Sequence, residues 1–249
     1  MEDDSAASLP PGIEAAWGLR ERPPKGPKRS LSLPQIVDAA IRVADSEGLA
    51  AVSMSRVATE LGAAPMSLYR YVVSKDELLV LMVDAAYGKP PTADGPDEGW
   101  RAELARWAWA EREALRRHPW VLRVPISGPP ATPNNLLWLE AGLHHLRDTG
   151  LTATEKLSAI LLLTGYVRNT STLAVDLDAA AQTSGTTLSQ TVTGYTRLLR
   201  SLIDPQRFPQ LSSALEAEAF GSDGDLDDEF AFGLERVLDG VAALVQARD

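Results

Sequence analysis

Apolar residues recur at helical spacing along almost the whole chain, and no segment alternates convincingly with period two. Such a chain can bury its apolar faces only by packing helix on helix, so an all-α fold is predicted. Ser32 with Gln35, Ser74 with Glu77 and Thr152 with Glu155 have capping-box spacing. Gly48, Gly62 and the Gly88–Pro90 pair supply stop signals. Helices are expected over about 33–47, 54–61, 65–71, 75–87, 98–117, 133–148, 153–181, 186–203, 205–219 and 228–247. In the first, Ile36, Val37, Ala40, Ile41 and Ala44 form one stripe. The stretch 157–167 is apolar nearly all round (Leu157, Ile160, Leu161, Leu162, Leu163, Val167), so its helix should be central and buried.

Composition narrows the class. The 249 residues include no cysteine, which removes a disulfide scaffold, an Fe–S cluster, a thiolate zinc site and a cysteine nucleophile. No cofactor is expected. His118, His144 and His145 are too few and poorly spaced for a metal, and the acidic loop at Asp223, Asp225, Asp227 and Asp228 lacks EF-hand spacing. No apolar run approaches membrane-spanning length. The first residues, Met-Glu-Asp-Asp, are acidic where a secretory signal is basic and then apolar, so a cytoplasmic location is expected.

Charge is unevenly placed. The formal net charge is −10, yet residues 19–75 hold nine basic residues against five acidic ones. Residues 90–249 hold fourteen basic and twenty-two acidic residues. A mildly basic front therefore precedes an acidic body. Three regions are expected: a disordered basic arm at 1–30, a small helical domain at 31–90, and a larger helical domain at 91–249. The Pro- and Gly-rich loop at 89–98 marks the joint. Lys25, Lys28 and Arg29 lie just before the first helix, in a Pro-rich stretch placed either to lie along DNA or to remain a solvated tail. Trp17, odd in such a tail, either docks on the body or stays exposed.

The segment 53–75 carries most of the functional information. Two short helices joined at Gly62 can expose the second one to a DNA major groove. Ser53 caps the first, and Ala58 is small where the helices must approach. Leu61 and Leu68 point to the core, leaving Met66, Ser67, Tyr69 and Tyr71 outward. Tyrosine hydroxyls and Ser67 can bond phosphates, and Met66 can touch a thymine methyl. Lys75 opens a helix, where its charge opposes the dipole unless an anion is near. A plain helical hairpin is the competing reading.

At these residues the chain resembles the TetR family of transcriptional repressors. The resemblance rests on Gly48-Leu49, Ser53, Leu61-Gly62, Leu68-Tyr69, Tyr71 and Ser74-Lys75-Asp76-Glu77-Leu78, and spans 32–85 without a gap. A weaker likeness to drug-responsive members follows at His118-Pro119-Trp120 and at Phe232-Gly233-Leu234-Glu235-Arg236 with Leu238-Asp239-Gly240. Some antibiotic-export repressors of that family carry similar N-terminal extensions. The resemblance implies operator contacts at Ser55, Pro65, Met66, Ser67, Tyr69, Tyr71 and Lys75. Relatives often have Arg or Gln at one or two of these positions. Ser55 and Pro65 cannot make a bidentate contact to guanine. Arg56 and Arg70 are the available substitutes, Arg70 being the better phosphate ligand.

The resemblance also implies that 31–90 is a helix-turn-helix DNA-binding domain and 91–249 a regulatory and dimerisation domain, with a homodimer held by a four-helix bundle of the last and third-last helices. Leu188, Val192, Tyr195, Leu199 and Leu202 keep 4-3-4-3 spacing, as do Phe230, Leu234, Val237, Val241 and Leu244. Each seam faces either a second copy or its own core. Five of six tryptophans fall within 100–138. They make either a Trp-rich core or, as the family implies, part of an apolar cavity. The ligand candidates are Trp107, Trp120, Trp138, Tyr166, Asn169 and Thr170. The expected function is a ligand-responsive repressor with partners in double-stranded operator DNA, a small hydrophobic ligand and a second copy, and none in a membrane. The alternatives are an all-helical enzyme, a carrier for a hydrophobic molecule, and a repressor without a ligand. No Gly-x-Ser-x-Gly, His-Glu-x-x-His, P-loop or dinucleotide motif is present.

Overall fold

The computed structural model describes residues 9–19, 31–92, 98–126, 128, 131–219 and 226–248. Among the described residues there is no strand. The helices are α1 (Pro11–Ala16), α2 (Leu33–Glu47), α3 (Met54–Glu60), α4 (Pro65–Leu68), α5 (Lys75–Tyr87), α6 (Trp100–Arg117), α7 (Pro133–His145), α8 (Ala153–Thr183), α9 (Leu188–Leu202), α10 (Pro209–Glu216) and α11 (Leu226–Gln246). Short 3₁₀ turns stand at Leu49–Ala51 and Pro119–Arg123. The chain forms two compact units, Met1–Ile160 and Leu161–Asp249, with α8 running through both.

Local chemistry sets the ends. Ser32 accepts the Gln35 N–H, and the Gln35 side chain accepts the Ser32 N–H at 2.9 Å, closing a capping box. Thr152 and Glu155 do the same at the start of α8. At α5 the pattern shifts by one residue. Ser74 accepts the Glu77 N–H, but the Glu77 carboxylate reaches back to Val73 N–H at 2.7 Å. Gly48 sits at φ 84° and Gly62 at φ 62°, in the left-handed region that a side chain resists.

In the first unit α2 packs on α3 and α5, and α3 packs on α4. Ile36, Ala40, Val57, Leu68, Val72 and Leu78 are fully buried between them. Helix α5 also packs on α6 and α7, so packing continues across the joint expected near residue 90. Two sequence expectations are corrected here. The tail was expected to be unstructured, yet Pro11–Ala16 is helical and packs on α5. Gly12 lies against α5, where a Cβ would stand 3.4 Å from Val80. Trp17 takes a middle course: 47% exposed, it still donates its indole N–H to Ala131 O at 2.8 Å. The second correction shortens the recognition helix. Regular helix ends at Leu68, and Tyr71 and Val72 N–H both turn back to Leu68 O.

In the second unit α8 is not buried all round. Leu163 and Val167 are buried, while Leu161 is 74% exposed and Leu162 and Leu173 are also exposed. Tyr166 stacks on Phe230 of α11 with centroids 5.4 Å apart and donates its hydroxyl to Phe230 O at 2.9 Å. Gly233 leaves room for that ring.

Candidate nucleic-acid interface

The candidate reading element is α4 with the turn that follows it. Pro65 occupies the first turn, where its missing N–H costs nothing. Leu68 and Val72 anchor the segment inward. That leaves Pro65, Met66, Tyr69 and Arg70 exposed, Met66 at 74% and Tyr69 at 44%. Ser67 and Tyr71 are half-buried, and Lys75 is exposed at the first residue of α5. The Ser67 hydroxyl donates to Ala64 O at 2.6 Å. Ser55 is exposed on α3, whereas the Ser53 hydroxyl accepts the Arg56 N–H as the helix cap.

Arg56 is otherwise engaged. Its Nε donates to Glu47 at 3.0 Å and its Nη2 to Glu60 at 3.1 Å. Glu60 also lies 3.6 Å from Arg42. The direct bond from Arg56 holds the Glu47 carboxyl below the usual carboxylate range, against the opposing effect of desolvation. The two carboxylates raise the Arg56 guanidinium in turn, Glu47 first. The guanidinium thus braces α2 against α3. The i,i+4 spacing of Arg56 and Glu60 was a visible signal of this. Lys25, Lys28 and Arg29 lie outside the described residues.

Two aspartates tie α2 and α5 to the rest of the first unit. Asp45 of α2 accepts the Trp120 indole N–H at 2.7 Å, and His118 Nδ1 lies 2.9 Å from the same oxygen. Asp84 of α5 accepts the backbone N–H groups of Asn134 and Asn135 at 2.9 and 3.3 Å, and the Asn134 side chain reaches Asp84 O at 3.0 Å. It therefore caps α7 from another helix, satisfying two donors that the helix itself leaves open. Sequence patterning missed both, since their partners lie 50 and more residues away.

The proposed ligand residues are well occupied. Trp107, 2% exposed, donates to Trp138 O at 3.0 Å and meets the Trp138 ring edge-on at 5.7 Å. Trp138 donates to Gly88 O at 3.0 Å. Together with Trp120, their indole N–H groups are spent on protein oxygens. Tyr166 is spent on Phe230, Thr170 bonds back to Tyr166 O, and Asn169 is exposed. On the proposed dimer seams, Leu234 and Val241 are buried by the chain's own packing, which corrects their expected outward role. Val237 is half-buried and Leu244 exposed. In α9, Leu188, Val192 and Leu199 are half-buried, and Tyr195 and Leu202 are exposed.

An exposed second helix after a glycine turn, set on a helical body, defines the class of helix-turn-helix transcription regulators. Comparison with known proteins sharpens this. The family description "Bacterial regulatory proteins, tetR family" matches residues 36–82, and "Tetracyclin repressor-like, C-terminal domain" matches 91–245. The chain belongs to the TetR family. It is 38% identical over 248 residues to the HTH-type transcriptional repressor DrrR1 of Streptomyces coeruleorubidus, covering 99% of this chain and 90% of that one. It is 32% identical over 129 residues to the tetracycline repressor protein class E of Escherichia coli, covering 51% and 61%. The Streptomyces coelicolor protein ActR, solved in complex with actinorhodin, superposes with TM-score 0.72 at 25% identity, covering 87% of this chain and 97% of that one. No helix among the described residues is long and apolar enough to cross a membrane.

Proposed function

We propose that the chain is a homodimeric repressor that reads an inverted-repeat operator with α4 of each copy and is released by a small hydrophobic molecule. The observation that carries this is the exposure of Met66 and Tyr69 on a short helix held by buried Leu68 and Val72. A groove-reading helix needs side chains that project from it in this way. Ser55, Pro65, Arg70, Tyr71 and Lys75 flank them as candidate contacts, and Lys25, Lys28 and Arg29 add phosphate contacts from the preceding arm. Arg56 acts here as a brace, not as a base reader.

Dimerisation uses the apolar side chains that a single copy leaves open: Leu161, Leu162 and Leu173 on α8, Tyr195 and Leu202 on α9, and Leu244 on α11. A released state requires a ligand that binds more tightly to the conformer with misplaced recognition helices. The likeness to ActR, a protein that binds actinorhodin, supports a small-molecule signal. Ring faces of Trp107, Trp120 and Trp138 are what these residues can offer such a molecule, since their N–H groups are committed. Regulation, not catalysis, is the role supported by family membership.

The test is selection from a random double-stranded DNA pool at physiological salt. Recovery of an inverted repeat is expected, with half-sites about one helical turn apart or a multiple of it. Recovery of no motif by folded, ligand-free protein overturns the reading.

A further inference from the structure

The leading end of the recognition helix reads Ala63-Ala64-Pro65-Met66, four side chains without a single hydrogen-bonding group. This is the end of a recognition helix that meets base edges. The next residue offers less than its type suggests. The Ser67 hydroxyl has its proton directed at Ala64 O at 2.6 Å, so only its acceptor lone pairs remain for a base. The nearest guanidinium on the preceding helix, Arg56, is forked between Glu47 and Glu60. What does project is Met66, 74% exposed and the most exposed large apolar side chain of the DNA-reading module.

Only one apolar group lies on the major-groove floor: the C5-methyl of thymine. A thioether side chain is flexible and polarizable, and adapts to such a small apolar target. We infer that Met66 is a specificity-determining residue that reads a thymine C5-methyl in each operator half-site. This inference rests on the DNA-reading function proposed above and names the chemistry that the site selects.

The experiment starts from the operator recovered by selection. Each thymine of the half-site is replaced, symmetrically in both halves, by deoxyuridine, which removes the methyl and keeps every hydrogen-bonding group. Affinity is measured by fluorescence anisotropy for wild type, Met66→Ala and Met66→Leu. Because Met66 is exposed, the variants should keep the wild-type thermal midpoint, which is checked alongside. One thymine position is expected to respond, with a loss of about fourfold per methyl and about fifteenfold for the symmetric pair. Met66→Ala should bind the thymine and deoxyuridine operators alike, while Met66→Leu, which keeps an apolar contact, should still distinguish them. Insensitivity at every thymine overturns the inference, and so does a loss that persists undiminished in Met66→Ala. In either case the selected operator leaves the DNA-reading function standing. A pool that yields no motif overturns both.

Discussion

Asp45 and Trp120 are 75 residues apart in the chain and joined by a 2.7 Å hydrogen bond from indole to carboxylate. Trp120 is 5% exposed, but Asp45 stands at the surface, so water replaces part of the lost acceptor. Asp45→Ala should lower stability by about 0.5–1.5 kcal/mol, the net contribution of one such hydrogen bond. Asp45→Asn keeps an acceptor and should recover part of the loss. Trp120→Phe in the Asp45→Ala background should cost less than the two changes added separately. Urea unfolding of wild type, the three single variants and the double variant measures this. Strict additivity would show that the bond contributes nothing.

The Asp84 cap makes a separate prediction. Asp84→Ala strips acceptors from two backbone N–H groups at the start of α7 and should destabilise by about 1–2 kcal/mol. Hydrogen exchange should quicken first at Asn134 and Asn135. Uniform quickening across the first unit would mean that the cap has no local role.

Helix α11 carries a test with an unusual sign. Gly→Ala inside a helix ordinarily stabilises by about 1 kcal/mol. At Gly233 the new Cβ would stand 2.7 Å from Tyr166 Cζ and closer still to its hydroxyl. The ring must move, losing its bond to Phe230 O. Gly233→Ala should therefore destabilise by about 1–3 kcal/mol through overpacking. Adding Tyr166→Phe should relieve part of the crowding, giving a double variant less damaged than the sum. A raised thermal midpoint in Gly233→Ala would contradict the packing described.

His145 sets a pH dependence. Burial lowers its imidazole from the ordinary 6.5, outweighing the nearby Glu103 carboxylate, with His144, Arg106 and Arg147 adding to the lowering. The folded state thus prefers the neutral ring. Its contribution is fully present above the unfolded value and is lost as pH falls from 6.5 toward the lower folded value. Wild type should lose stability relative to His145→Gln between about pH 7 and about pH 5. Parallel stability curves for the two proteins would contradict this.

The proposed dimer can be split without touching the core. Leu161→Glu places a charge on a side chain that is already in water within one copy, so each copy should fold and the pair should separate. Sedimentation should report monomers with unchanged helical content. A persisting dimer would remove α8 from the interface.

How much of this was legible beforehand depended on how far each signal travels along the chain. Capping and periodicity are local, and Ser32, Gln35, the apolar stripe from Ile36 to Ala44 and Gly48 together place α2 at 33–47. The TetR-type module was equally readable, because its turn glycine and apolar anchors lie within about twenty residues. The α1 docking was not readable. A six-residue helix without a side-chain cap carries little pattern, and it is held by Val80 and Ala131, far away in sequence. The bonding of the tryptophans was hidden for a related reason. Their spacing shows an aromatic-rich face, but the commitment of Trp107, Trp120 and Trp138 to hydrogen bonds is a tertiary fact. The seam at Leu234 and Val241 misled because a 4-3-4-3 repeat is the same whether the facing helix belongs to this chain or to another.

The indole bonds also make the protein its own optical instrument. Trp17 reports on α1, Trp120 on the attachment of α2, and Trp138 on the end of α5. Each fluorophore is fixed at a different seam of the first unit. Single-tryptophan versions would let operator binding and effector binding be followed seam by seam through native emission, with no dye attached.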